Sequence, residues 1–178
     1  MLYNKKYQIE SSRLKDWDYT TPWWYYVTIC TKNFRCWFGE VKNIKMILSK
    51  YGKVVEEEWL NTKNVRTNVD LDYFVIMPNH FHGILIIKDV ETSRRDVSNK
   101  NETGHRPVST LQPDSLGSII SQFKSVCTKR IRKMGFEQFQ WQSRFYDHII
   151  RNENDLTRIR TYIKNNPMKW ELDEYFNK

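Results

Sequence analysis

The sequence predicts an α+β fold, a ferredoxin-like sandwich in which an antiparallel sheet carries its helices mainly on one face. Strand-length runs rich in aromatic and β-branched residues alternate along the chain with segments whose apolar residues recur at helical spacing, in the order βαβ(β)αβα. The length of 178 residues, with 39% hydrophobic and 15% aromatic residues, suits one domain spanning 1–178 with a sizeable core and excludes a disordered chain. No internal repeat divides it.

Residues 1–22 are polar and basic around Arg13, Lys15 and Trp17 and end at Pro22; Trp23 to Thr31 then reads as the first strand. From Asn43 to about Leu60, Ile44, Ile47, Leu48, Val54, Val55 and Trp59 recur near helical spacing and predict the first helical layer, which Gly52 can split in two. Val69 to Met77 and His80 to Lys88 are apolar runs on either side of Pro78-Asn79. They read as a pair of strands or as one strand broken at a bulge.

Residues 89–114 turn polar, which predicts a long mobile loop with His105 as an ordinary surface residue. Asp114-Ser115 offers a helix start, followed by Ile119, Ile120, Phe123, Val126, Cys127, Ile131 and Met134 along one side of an amphipathic helix. Trp141 to Arg151 supplies another strand. Asn152 or Asn154 can cap a final helix that starts near Asp155 and stops at Pro167.

Lys and Arg number 29 against 21 Asp and Glu, a formal charge of +8 that favours a polyanionic partner, nucleic acid first. The charge is clustered: between Leu116 and Lys133 there are Lys124, Lys129, Arg130, Arg132 and Lys133 and no acidic residue. A solvated helix face explains such a run, and so does a track for phosphates. Cys30, Cys36 and Cys127 lack the paired close spacings of a zinc site or a disulfide framework, so reduced thiols are expected. No run has signal-peptide or membrane-span character, and the expected location is cytoplasmic.

The sharpest local feature is His80-Phe81-His82. Side chains alternate along a strand, so the two imidazoles point the same way and can grip a metal while Phe81 enters the opposite layer. In the last helix Leu156, Ile159 and Ile163 define the buried stripe, and Tyr162 and Asn166, four apart, stack along its flank. Taken singly, Tyr162 reads as a packed tyrosine with a solvated tip, Asn166 as a helix C-cap biased out of helical geometry by Pro167, and the histidines as satisfied sheet residues. If this helix packs beside the histidine strand, metal site, amide ligand and phenol coincide. A phenol with an ordinary pKa of ~10 then needs a cation, the metal or Arg158 one turn earlier, to attack a phosphodiester.

The ordered blocks Tyr26-Val27-Thr28-Ile29-Cys30-Thr31, Phe74 to Gly83, Gln122-Phe123-Lys124-Ser125, Trp141-Gln142, Tyr146 to Glu153 and Tyr162-Ile163-Lys164-Asn165-Asn166-Pro167 resemble, along the whole chain, the single-tyrosine HUH transposases. Within them the resemblance is to the REP-associated tyrosine transposases and transposase-like proteins. It implies His80 and His82 as metal ligands for Mg²⁺ or Mn²⁺, imidazole arguing somewhat for Mn²⁺, and Asn166 as a third ligand where relatives carry glutamine. It further implies Tyr162 as the nucleophile that forms a 5′-phosphotyrosine link to single-stranded DNA at hairpin-forming palindromes, in a homodimer or a monomer. His148 lies in a matching block without an assigned role.

Charge and position make Arg13, Lys15, Lys124, Lys129, Arg132 and Arg158 the candidate DNA contacts. Two other readings share these residues. One is a relaxase or replication-initiator nuclease, against which the lack of a helicase-sized extension counts; the other is a DNA-hairpin-binding module with silent chemistry.

Overall fold

The computed structural model describes Leu14, residues 17–89 and residues 112–176. Arg13, Lys15, His105 and nearly all of the polar 89–114 segment lie outside the described residues.

Aromatic and β-branched residues build β1 (Trp24–Cys30), which pairs antiparallel with β5 (His80–Ile87) on one side and β6 (Tyr146–Ile149) on the other. β4 (Val69–Ile76) pairs antiparallel with β5, closing a four-stranded sheet of order β4-β5-β1-β6. With the small hairpin of β2 (Gly39–Lys42) and β3 (Lys45–Leu48) set aside, this is the ferredoxin-like order. Pro78-Asn79 turns between two separate strands. The bulge occurs instead inside β4, where the register shifts between Leu71 and Phe74.

Helix α1 (Lys50–Val65) begins later than its apolar spacing predicts, because residues 39–48 form the hairpin. Asn43 and Ile44 take φ of 50° and 59°, the left-handed pair that a tight two-residue turn demands. Ser49 then starts the helix, its hydroxyl accepting from the Tyr51 and Gly52 amides. Gly52 does not split the helix. A Cβ there would stand 2.2 Å from the Phe38 carbonyl, so glycine lets the first turn press against the backbone just ahead of β2.

Helix α2 (Leu116–Lys133) is capped by Ser115, whose hydroxyl accepts from the Ser118 amide. It packs with α1 over Tyr25, Val27, Ile29, Phe81 and Leu85 on one face of the sheet. Helix α3 (Glu153–Asn165) is capped by Asn152, whose Oδ1 accepts from the Asp155 amide at 2.9 Å, and crosses to the other face. There Leu156, Ile159 and Ile163 cover Tyr26 and Ile84. The last predicted strand shrinks to β6, with Trp141 keeping only an isolated bridge to Thr31. A 3-10 turn, Pro167–Leu172, follows α3, and no helix among the described residues is long and apolar enough to cross a membrane.

Candidate functional site

β5 begins at His80, directly after the Pro78-Asn79 turn, and its alternation sends His80 and His82 toward α3 while Phe81 faces α1 and α2. Antiparallel register sets Cys30 opposite His80 and Thr28 opposite His82. Both imidazoles are fully buried, and their ring centroids are 4.5 Å apart. Burial drives the His80 pKa down to about 3; burial, with His80 alongside, holds His82 well below the usual range. Both are neutral at pH 7, the state a metal ligand needs.

The His80 tautomer follows from its neighbour. Asn79 Nδ2 donates to the carbonyls of Phe34 at 3.1 Å and Tyr175 at 2.8 Å, which fixes the amide so that Oδ1 faces His80 Nδ1 at 2.8 Å. A carboxamide oxygen only accepts, so Nδ1 carries the proton and Nε2 is bare. That Nε2 is buried without a partner among the described residues. His82 Nδ1 lies 2.7 Å from Tyr26 Oη and 2.8 Å from Thr28 Oγ1, oxygens able to accept its proton and leave Nε2 free.

Helix α3 brings Tyr162 over this pair, with its Oη 3.4 Å from His82 Nε2. Asn166 stays helical, at φ −59° and ψ −44°, although Pro167 disfavours that region for the residue before it. Its buried amide explains why: Nδ2 donates to Asp173 Oδ2 at 3.2 Å, tying the helix end to the segment that returns from the 3-10 turn. Asn166 Oδ1 is buried and has no partner among the described residues. Donor atoms of His80, His82 and Asp173 lie within 4.8 Å of one another. Two bare or bare-capable imidazole nitrogens, a carboxylate and an orphaned amide oxygen fit a divalent cation of the Mg²⁺ or Mn²⁺ type.

The returning segment also covers the histidines. The Tyr175 ring lies 4.7 Å from that of His80, and its far side stacks on Phe34 at 5.7 Å. Tyr162 remains 41% exposed. Burial, then the charges of Asp173 and Glu174, push its pKa up to about 12, a hydrogen bond with Asn166 opposing. The cation expected beside this phenol is directed elsewhere, since Arg158 donates to Asp155 at 2.6 Å.

His148, on β6, shares the cleft of about 600 Å³ beside Tyr162, and its Nε2 meets Asp155 Oδ2 at 2.7 Å. Lys124 and Arg132 lie across the sheet on α2. The Lys124 amine, brought down to about 8 by burial, donates to the Gln142 carbonyl at 2.6 Å, and Arg132 donates to the Phe139 carbonyl at 3.1 Å. Both hold the loop that follows the helix, and exposed Lys129 shares their groove of about 430 Å³.

His80, His82, Tyr162 and Asn166 thus lie together because α3 packs beside the histidine strand, the condition that their spacing left open. Asp173 and the orienting roles of Asn79, Tyr26 and Thr28 were missed. The alternation Tyr26, Thr28, Cys30 matches that of the histidines and is a usable signal once the two strands are paired. Asp173 has none.

No protein-family model matches the chain. It is 38% identical over 167 residues to an uncharacterized protein of Haemophilus influenzae, spanning 93% of this chain and 92% of that one. Its structure matches a REP-associated tyrosine transposase bound to a REP hairpin with a TM-score of 0.60 at 20% identity, covering 92% of this chain and 77% of that one. The chain therefore belongs to one family with the Haemophilus influenzae protein and has the fold of a REP-associated tyrosine transposase.

Proposed function

We propose that this chain is a metal-dependent DNA strand transferase of the REP-associated type, cleaving and rejoining single-stranded DNA beside hairpin-forming palindromes. The observation that carries the reading is the position of the Tyr162 hydroxyl, 3.4 Å from His82 Nε2 and above a buried pair of neutral imidazoles. His80 and His82 would hold Mg²⁺ or Mn²⁺, with Asp173 and Asn166 as the oxygen donors in reach. The ion would neutralise charge on the scissile phosphate.

Tyr162 Oη attacks the phosphorus, the Oη–P bond forms and the P–O3′ bond breaks. The phenol gives up one proton and the departing 3′-oxygen takes one up, so the step is proton-neutral overall. The phosphotyrosine link keeps the energy of the broken bond, and the 3′-hydroxyl can attack it to rejoin the strand without a nucleotide cofactor. Arg158, in the same cleft, is the nearest candidate to meet the DNA backbone, with Lys129 on the far side of the sheet. Lys124 and Arg132 contribute by shaping that second groove. By charge and position Arg13 and Lys15 would add to the contact with the DNA backbone.

Wild type and Tyr162→Phe, incubated with a labelled hairpin oligonucleotide and Mn²⁺, test this. Cleavage and a covalent adduct are expected from the wild type only; equal cleavage by both removes Tyr162 from the chemistry. A second reading, a hairpin-binding module with silent chemistry, is favoured by Tyr175 lying over His80 and by the raised phenol pKa. Tight hairpin binding with no adduct under any divalent metal selects it.

A further inference from the structure

Three tyrosines from three elements surround one open space. Tyr26 lies on β1, Tyr146 on the edge strand β6, and Tyr162 on α3 above β5. Tyr146 stands edge-on to Tyr26 at 6.4 Å and 70°, and Tyr162 does the same at 6.4 Å and 89°. β5 and β6 flank β1 on opposite sides, so the two outer rings form walls on either side of Tyr26 as a floor. The floor is held rigidly, its hydroxyl bonded to His82 and Thr28. Both walls are open to solvent, Tyr146 at 49% and Tyr162 at 41% exposure.

A single exposed aromatic ring on an edge strand needs no explanation. Two rings rising from a third border a cleft of about 600 Å³ and make it an aromatic slot against which a planar group can stack. Its polar end is equally set. Asp155 receives His148 Nε2 on one carboxylate oxygen and Arg158 on the other, fixing both side chains where they line the cleft. His148 Nδ1 has no hydrogen bond among the described residues and is left for the edge of a ligand, while Arg158 offers donors. Glu174, also in the lining, makes the Tyr162 end unwelcoming to a second phosphate beside the one under attack and directs that flanking phosphate toward Arg158.

We infer that this slot holds one unpaired base of single-stranded DNA, stacked on Tyr146, next to the phosphate presented to Tyr162. The inference rests on the proposed strand-transfer reading and adds what positions the strand for it. Every base has a π-face and both donors and acceptors on its edge, so the slot requires a base without selecting strongly among the four.

The test uses the full-length Tyr162→Phe variant, which keeps the ring and cannot form the adduct. It is titrated with a DNA hairpin carrying unpaired flanks, with 2-aminopurine and then an abasic residue placed at each unpaired position in turn. One position is expected to show quenching, and its abasic replacement to weaken binding about 5- to 150-fold. Adding Tyr146→Ala should produce the same loss with an unchanged melting temperature, and Tyr146→Phe should restore binding. Binding that is indifferent to every abasic position, or to Tyr146→Ala, overturns the slot. Base-dependent binding without any wild-type adduct keeps the slot and removes strand transfer. Adduct formation at undiminished rate and affinity in Tyr146→Ala does the reverse.

Discussion

The two faces of the sheet are built from alternate residues of the same strands and differ in almost everything else. On the face covered by α1 and α2, Trp59, Phe81 and Phe123 pack with ring centroids 4.5 to 5.7 Å apart, and among the described residues no imidazole interrupts them. On the face covered by α3 a smaller apolar cluster of Ile84, Leu156, Ile159 and Ile163 borders buried His80, His82, Thr28 and Asn166. Apolar burial is concentrated on the first face, and it is what allows the second to bury polar groups at a cost. His80-Phe81-His82 spans both faces in three residues.

If that division holds, the largest effect on folding comes from the dry face. Trp59→Ala should cost about 3–5 kcal/mol in denaturant unfolding and leave the affinity of the remaining folded protein for Mn²⁺ unchanged. Acid is the next test, and it acts from the other face. Below pH 6.5 the unfolded chain takes up a proton that folded His80 refuses until about pH 3. Stability of the metal-free protein is therefore fully present above pH 6.5 and lost as pH falls, on the order of a few kcal/mol across that window. A flat unfolding free energy between pH 6.5 and 4 would contradict this.

Smaller changes sharpen the boundary. A Cβ at Gly83 would stand 2.7 Å from both the Phe81 and the Trp59 rings, so Gly83→Ala should destabilise by about 1–3 kcal/mol by overpacking. Thermal unfolding reads the loss, and Mn²⁺ titration of the folded protein should show none. Asn79→Ala should do the opposite. It removes the acceptor that fixes the His80 tautomer and should weaken Mn²⁺ binding about 10–100-fold by calorimetric titration. Equal metal affinity in Asn79→Ala and wild type would show that the imidazole is oriented by packing alone.

Particular residues show how far the sequence could be read. The run Trp23 to Thr31, the serine ahead of α2 and the apolar stripe of α3 each produced the element expected. Residues 43–48 did not. Ile44, Ile47 and Leu48 sit at three- and four-residue spacings that a helix and a tight hairpin both allow, and the positive φ at Asn43 and Ile44 decided for the hairpin. For Tyr162 the geometry was legible and the electrostatics were not. The sequence offers Arg158 one turn away, yet Asp155 takes that cation, and burial with Asp173 and Glu174 raises the phenol instead.

Local geometry alone determined that His80 and His82 share a face and that Tyr162 and Asn166 share a helix flank, because strand and helix periods are properties of the backbone. Only the tertiary structure decided that those two flanks meet. The register that sets Thr28 against His82, the turn that carries Asp173 back to Asn166, and the two carbonyls that orient Asn79 depend on contacts between segments distant in sequence. Packing of the whole chain selects such contacts, and no local pattern records them.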